Sequence, residues 1–281
     1  MLTIAPDTIL QQRYRILNLL EDRDLERTYL ATDSGRADVY CAIAEILVTT
    51  QSSAAAAQAR EFFKREITPL YQLQHPQIAR FWTTFEEQNR LFLVRDYVAG
   101  TTYGQILAQR RDLGTVFTEA EVWQFLLQIL PAIGYTHSKG IIHRDISPAH
   151  IVCRDGDRLP VLIDFGVFKE FANKLQAPNV QMMTIGQTGY APHEQLYSGQ
   201  VYPSTDLYAL AVTAIVLLTG KEPSALFEGE HMDWNWLKWT QLGDKFATIL
   251  SRMLSLDLQD RYQSALEVYR DLQALDVPQR Q

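Results

Sequence analysis

The chain has 281 residues, 47% hydrophobic and 21% charged, which is enough to bury a large core in one big domain or two lobes and excludes a disordered chain. A net charge of −7 counts against a nucleic-acid or anionic-membrane surface, since both call for clustered Lys and Arg; neither nucleic acid nor membrane is expected as a partner. Protein partners or small ligands fit this balance better.

Met1 to Leu10 carry no basic stretch followed by a long apolar core, so no signal peptide is expected. Tyr14–Leu20 and Thr28–Ala31 read as strands joined by a charged connection, residues 21–27, and a third strand, Val39–Leu47, follows the turn at Asp33-Ser34-Gly35. An alanine-rich stretch from Ser53 leads into a helix with Phe62, Phe63, Ile67, Leu70, Tyr71 and Leu73 on its apolar face, which Pro69 should bend or end. Arg90–Val98 is the next strand, closed by Gly100. Strands plus one helix make a small lobe.

From Thr118 the pattern turns helical. Thr118 and Glu121 form a capping box, Val122, Phe125, Ile129 and Ile133 share one stripe, and Gly140 stops the helix. Residues 151–153 and 161–163 flank a turn at Asp155-Gly156 as a short hairpin. Helices are expected over Leu207–Leu218, Phe246–Leu254 and Ser264–Leu275; the first is too short for the roughly 20 residues of a bilayer span and reads as buried. Trp234, Trp236 and Trp239 are core or interface. The two cysteines, Cys41 and Cys153, sit in apolar strand segments and read as small core residues, which fits a reducing cytoplasm.

Within this frame stand His143-Arg144-Asp145, Asp164-Phe165-Gly166, Ala191-Pro192-His193-Glu194, Asp206 at the head of the buried helix, and Arg261. Their order and spacing resemble the eukaryotic-type protein kinases over about Tyr14 to Leu275. Residues 141–148 and Gly189-Tyr190-Ala191-Pro192 look like the bacterial, particularly cyanobacterial, serine/threonine branch. The resemblance implies an α+β, bilobal fold, with a small β-rich N-lobe at 1–97 and a larger, mostly helical C-lobe at 98–281.

It also implies roles. Asp145 stands where the family's Asp accepts or orients the substrate hydroxyl proton, and Asp164 where the family binds the magnesium that bridges the phosphates of ATP. Glu194 would pair with Arg261, and Asp206 would brace the loop holding His143 and Arg144. Arg144 could answer a charge on the segment between Asp164 and Glu194. There Thr184 is the better candidate phosphosite and Thr188 a structural contact of the catalytic loop. Asp96 and Val98 fall at the hinge that meets the nucleotide.

Other positions depart from the family pattern. The three glycine positions of the phosphate-covering loop hold Glu21, Arg23 and Glu26, with no glycine to let backbone N–H groups approach the anions. Residues 41–44 match V-A-I-K, and the lysine position is Ala44. The lysine's usual partner matches Glu66. Arg95, just before the hinge, is a candidate plug of the nucleotide cleft that pairs with Glu66 or Asp164; the alternative is a stem packed on apolar surface with its head in solvent. His150 replaces the Asn that ligates a second magnesium, and imidazole suits softer metals.

These losses make a pseudokinase the leading sequence-level expectation: a protein-binding or allosteric signalling module with little or no phosphotransfer, partnered by an active kinase or its substrate, for which ATP and magnesium are weak ligands. One alternative is a noncanonical serine/threonine kinase or nucleotidyl transferase using ATP, with Arg23 or Arg27 as a relocated cation. The other is a nucleotide-binding switch without catalysis.

Overall fold

The computed structural model describes residues 3–23, 26–46, 61, 64–88, 90–166, 189–228 and 233–275. The chain divides into two compact units after Val98.

The first unit is built on a six-stranded sheet among the described residues, in the order β1-β2-β3-β4-β6-β5. Its strands are β1 (Ile9–Leu10), β2 (Tyr14–Asp22), β3 (Glu26–Asp33), β4 (Val39–Ile46), β5 (Phe81–Glu87) and β6 (Arg90–Asp96). Every neighbouring pair is antiparallel. Because side chains alternate across a strand, Tyr29, Ala31, Cys41, Ile43, Phe92 and Val94 share one face, and with Leu10, Tyr14 and Ile16 they form an apolar core. Thr28, Leu30, Ala42, Ala44, Leu93 and Arg95 line the other face.

The sequence left β1 and β5 unassigned and placed the end of β6 two residues late. β2 and β3 also run further into the charged connection than expected. Most of the alanine-rich segment lies outside the described residues. Helix at residues 64–67 gives way to a 3-10 turn over Thr68–Gln72, with Pro69 in its first turn where its missing N–H costs nothing.

The second unit is mostly helical. α1 (Tyr103–Asp112) follows strand β7 (Gly100–Thr102) and was missed from sequence, because its apolar residues do not gather on one face. α2 (Glu119–Ser138) starts at the predicted capping box, with Thr118 Oγ1 accepting from the Glu121 N–H at 3.3 Å and Glu121 Oε2 accepting from the Thr118 N–H at 2.8 Å. Strands β8 (Ile151–Arg154) and β9 (Pro160–Leu162) form the expected hairpin, and β7 joins β8.

α3 (Pro203–Thr219) is buried along nearly its whole length, which explains its all-round apolar sequence. It packs against α2 and α4 (Asp244–Met253), while α5 (Ala265–Gln273) packs on α2 and α4. Trp236 is buried in this unit, Trp234 Nε1 donates to the Tyr208 hydroxyl at 3.1 Å, and Trp239 is exposed. No helix among the described residues is long and apolar enough to cross a membrane. Both cysteines are free and buried, and burial pushes the Cys41 thiol up to about 12.

Candidate functional site

In the second unit, the loop after α2 is set by one carboxylate. Gly140, at φ 71°, reverses the chain with its N–H on the His137 carbonyl at 2.9 Å. Asp206, buried in the first turn of α3, then accepts from the His143 N–H at 2.8 Å through Oδ2 and from the Arg144 N–H at 2.9 Å through Oδ1. His137 Nε2 lies 2.8 Å from Oδ2 and donates to it. Burial pushes the Asp206 carboxyl up, but the His137 hydrogen bond and the His143 backbone N–H outweigh it and hold the group below the usual carboxylate range.

His143 links this loop to the segment carrying Asp164. Its Nε2 is 3.1 Å from the Ile163 carbonyl, an acceptor only, so Nε2 bears the hydrogen and Nδ1 accepts from the Asp145 N–H at 3.4 Å. Burial pushes the His143 pKa down, consistent with a neutral ring. The ring stacks on Phe165 with centroids 4.3 Å apart, and the His143 carbonyl accepts from the Gly166 N–H at 2.8 Å. A Cβ at position 166 would come within 3.1 Å of the Arg144 Cβ, so a side chain here would crowd the loop.

Asp145 and Asp164 are both buried, at 5% and 8% exposure. Arg144 at φ 69° and Asp164 at φ 48° occupy the left-handed region that residues with a Cβ seldom adopt. His150, itself buried, places Nδ1 2.7 Å from the Asp145 carbonyl and 3.1 Å from Asp145 Oδ2. A carbonyl only accepts, so Nδ1 carries a hydrogen, shared between the Asp145 carbonyl and Oδ2, with Ser147 Oγ 3.3 Å away. His150 thus braces Asp145 through the nitrogen that faces it, and that nitrogen has no lone pair to offer a metal.

Around this loop, Glu194 Oε1 meets Arg261 Nη1 at 2.6 Å and accepts from Thr205 Oγ1 at 3.1 Å, while Arg261 also donates to the Ser255 and Ser204 carbonyls. Gln195 Nε2 donates to the Arg144 carbonyl at 2.7 Å. The sequence reading missed His137 and Gln195. His137 had a usable signal, since it lies in the last turn of α2 and is carried by the same helix end that delivers the loop; Gln195 had none beyond its place next to Glu194. Thr184 and Thr188 lie outside the described residues.

In the first unit, Ala44 is buried on the sheet face that also carries Arg95. The neighbouring Glu45 points the other way, fully buried, with Oε1 3.0 Å from Arg90 Nη1 and Oε2 accepting from the Tyr29 hydroxyl at 2.8 Å. Burial pushes the Tyr29 hydroxyl up to about 12.

One sequence expectation is corrected, the solvent-exposed alternative for the head of Arg95. Arg23 ion-pairs with Glu21 at 2.5 Å and Arg27 with Asp22 across the strands at 2.8 Å, the two carboxylates staying 42% and 48% exposed, so both candidate relocated cations stand beside surface carboxylates. Glu66 has a cation beside it, Arg65 at 3.3 Å. Arg95 is only 4% exposed, so its head does not reach solvent. At the hinge, Asp96 Oδ1 accepts from Trp82 Nε1 at 2.7 Å; Glu26 and Val98 are half-buried.

A protein kinase domain model matches residues 33–271. The chain belongs to the protein kinase family. It is 36% identical to serine/threonine-protein kinase B of Synechocystis sp., covering 96% of this chain and 47% of that one. Serine/threonine-protein kinase PknA of Nostoc sp. is 32% identical over 95% of this chain and 48% of its own. The chain therefore spans about half the length of these curated relatives. Among solved structures, the Mycobacterium tuberculosis PknI kinase domain matches with a TM-score of 0.72 and 26% identity, covering 96% of this chain and 99% of that one.

The α+β kinase fold and the kinship with cyanobacterial serine/threonine kinases are as the motifs implied. The degenerate, pseudokinase status draws no support from these relatives, which bear kinase names; they favour the noncanonical-kinase alternative.

Asp164 offers a buried carboxylate that suits one hard dication. The second-ion place fits poorly, because the His150 nitrogen facing Asp145 is a donor. Among the described residues no cluster of three or more His, Cys, Asp or Glu could hold a metal without the nucleotide.

Proposed function

We propose that the chain is a noncanonical serine/threonine kinase domain that transfers the γ-phosphoryl group of ATP to a hydroxyl. The observation that carries this reading is the catalytic loop: two buried acids, Asp145 braced by His150, and left-handed backbone at Arg144 and Asp164. Each such backbone outlier costs about 1–3 kcal/mol, and strain of this kind gathers at working sites.

In this reading Asp145 orients the acceptor hydroxyl and takes its proton as the oxygen bonds to the γ-phosphorus and the β–γ bridge breaks. The His150 N–H fixes the rotamer of Asp145. Asp164 would hold one divalent ion, whose charge offsets that on the phosphates.

A second reading, the pseudokinase with a protein partner, is favoured by Ala44 and by the glycine-free positions 21, 23 and 26. Incubation with radiolabelled ATP, magnesium or manganese, and casein separates the two. Transfer that falls about 10²–10⁴-fold in Asp145→Asn and is lost in Asp164→Asn supports the kinase. A wild-type chain that labels nothing overturns it and leaves the interaction module.

A further inference from the structure

Three residues of the first unit, none of them part of the catalytic loop, meet at one place on its surface. They are Arg36 in the 3-10 turn between β3 and β4, Arg80 just before β5, and Trp82 in β5. The guanidinium carbon of Arg36 lies 3.4 Å from the centre of the Trp82 ring and that of Arg80 4.2 Å from it. Two cations this close to one ring centre occupy its two faces, because on a single face they would collide. The indole is thus clamped between two guanidiniums roughly 7–8 Å apart, each attracted by the negative face of the ring.

The charge at the clamp is not balanced. Asp96 is the carboxylate beside it, and its oxygens are already taken by neutral donors: Oδ1 accepts from Trp82 Nε1 at 2.7 Å and Oδ2 from the Arg80 backbone N–H at 3.4 Å. Arg36 Nη1 stands 3.9 Å from Oδ1, too far for a hydrogen bond, and is buried without an acceptor. The Arg80 side chain is exposed, and among the described residues no carboxylate pairs with its guanidinium. Arg13, beside Gly35, adds no net charge because Asp33 meets it through two hydrogen bonds. Two cations and one carboxylate therefore leave a positive charge on a chain whose net charge is −7.

We propose that the Arg36–Trp82–Arg80 clamp docks an extended acidic segment of a partner protein, with carboxylates at positions i and i+2. Side chains two apart on an extended chain share a face and lie about 7 Å apart, which matches the spacing of the two guanidiniums. A single carboxylate or phosphate is too small to reach both. Each guanidinium offers paired N–H donors to a carboxylate. Stacking on a ring that is itself fixed by its bond to Asp96 holds both side chains in place beforehand, so little rotamer freedom is lost on binding. The net charge counts against a nucleic acid at the same place, since its phosphates would be repelled by the chain as a whole. The inference goes beyond the kinase reading and does not depend on it: the clamp docks its partner whether or not the chain binds ATP or transfers phosphate.

The test is fluorescence anisotropy with a fluorescein-labelled peptide of alternating Glu and Gly, beside a peptide with the same number of Glu spaced four apart and a single-stranded oligonucleotide. Each is titrated with wild type, Arg36→Gln, Arg80→Gln and Arg80→Glu, every variant first shown folded by its thermal melt. Arg80 is exposed, so its variants carry the test if Arg36→Gln does not fold. The expected result is binding of the alternating peptide by wild type that weakens about 10-fold in each Gln variant, weakens further in Arg80→Glu, and falls as salt is raised. The widely spaced peptide should bind about 10-fold more weakly than the alternating one.

No binding by wild type, or equal binding by wild type and Arg80→Gln, overturns the inference. Equal affinity for the two peptides overturns it in favour of attraction without register, and tighter binding of the oligonucleotide overturns it in favour of a nucleic-acid site.

Discussion

The two units carry their charged residues in different ways. In the second, each buried carboxylate that shapes the catalytic loop is met by fixed donors: Asp206 by His137 and two backbone N–H groups, Glu194 by Arg261, Asp145 by His150. In the first, the family's phosphate positions hold alanine or residues paired with near neighbours, as Arg23 is with Glu21 and Glu66 with Arg65. The contrast teaches that the loop is one cooperative unit, in which losing any member strands a buried charge. The sheet keeps its frame through its apolar face and one buried carboxylate, Glu45, met by Arg90 and Tyr29, while the pairs at its hairpin end stay partly exposed.

The largest expected effect breaks the loop unit from its edge. Arg261→Ala removes four donor contacts and leaves the Glu194 carboxylate buried without its cation, so unfolding in urea should show a loss of about 3–5 kcal/mol. A loss below about 1 kcal/mol would show that the pair does not organise this unit. Asp206→Asn keeps the shape but turns an amide N–H toward donors that need an acceptor, for an expected loss of about 2–3 kcal/mol by the same measurement. Equal stability of the variant and wild type would mean that the loop is held elsewhere.

The same comparison predicts smaller effects in the sheet. Tyr29→Phe removes the hydrogen bond to Glu45 and the acceptor of the Ile4 N–H while Arg90 remains beside that carboxylate, so about 1–2 kcal/mol is expected from the denaturation midpoint. A loss as large as that of Arg261→Ala would erase the distinction between the units.

The pH profile sharpens the comparison further. The His143 pKa is pushed below its unfolded value, near 6.5, so the unfolded chain binds the proton first; the contribution is full above that pH and is lost as pH falls toward the folded pKa. Asp206, held below the usual carboxylate range, contributes above about pH 4 and loses that contribution as pH falls through its folded pKa. His75, in the first unit, is also shifted down by burial and adds a slope of the same sign. His143→Asn should therefore flatten the stability curve just below pH 6.5 and leave the Asp206 portion in place; an unchanged slope would assign the whole effect to His75.

Much of this was legible in the sequence where a local rule fixes the geometry. The capping box at Thr118 and Glu121, the turn at Asp155-Gly156 and the all-round apolar run of α3 each carry their own short-range signal. The missed elements lacked one: α1 draws no apolar stripe, and β5 reads Phe-Trp-Thr-Thr-Phe-Glu-Glu without strict alternation. At the site, residue types at Asp145, Asp164, Ala44 and His150 could be read directly. What could not be read were tertiary relations, such as the His150 hydrogen on the Asp145 carbonyl and the cross-strand register that sets Arg95 beside Ala44. A one-residue slip in that register would have put Arg95 on the opposite face.

The central claim, that the loop still serves a nucleotide, is tested most directly by thermal unfolding with increasing ATP, with and without magnesium, for wild type and Asp164→Asn. A ligand that binds only the folded chain stabilises it by about 2.7 kcal/mol at a hundred times its dissociation constant. The expected result is a magnesium-dependent rise in Tm for wild type that is lost in Asp164→Asn. No rise at millimolar ATP would contradict the claim and leave the fold as a nucleotide-independent interaction module.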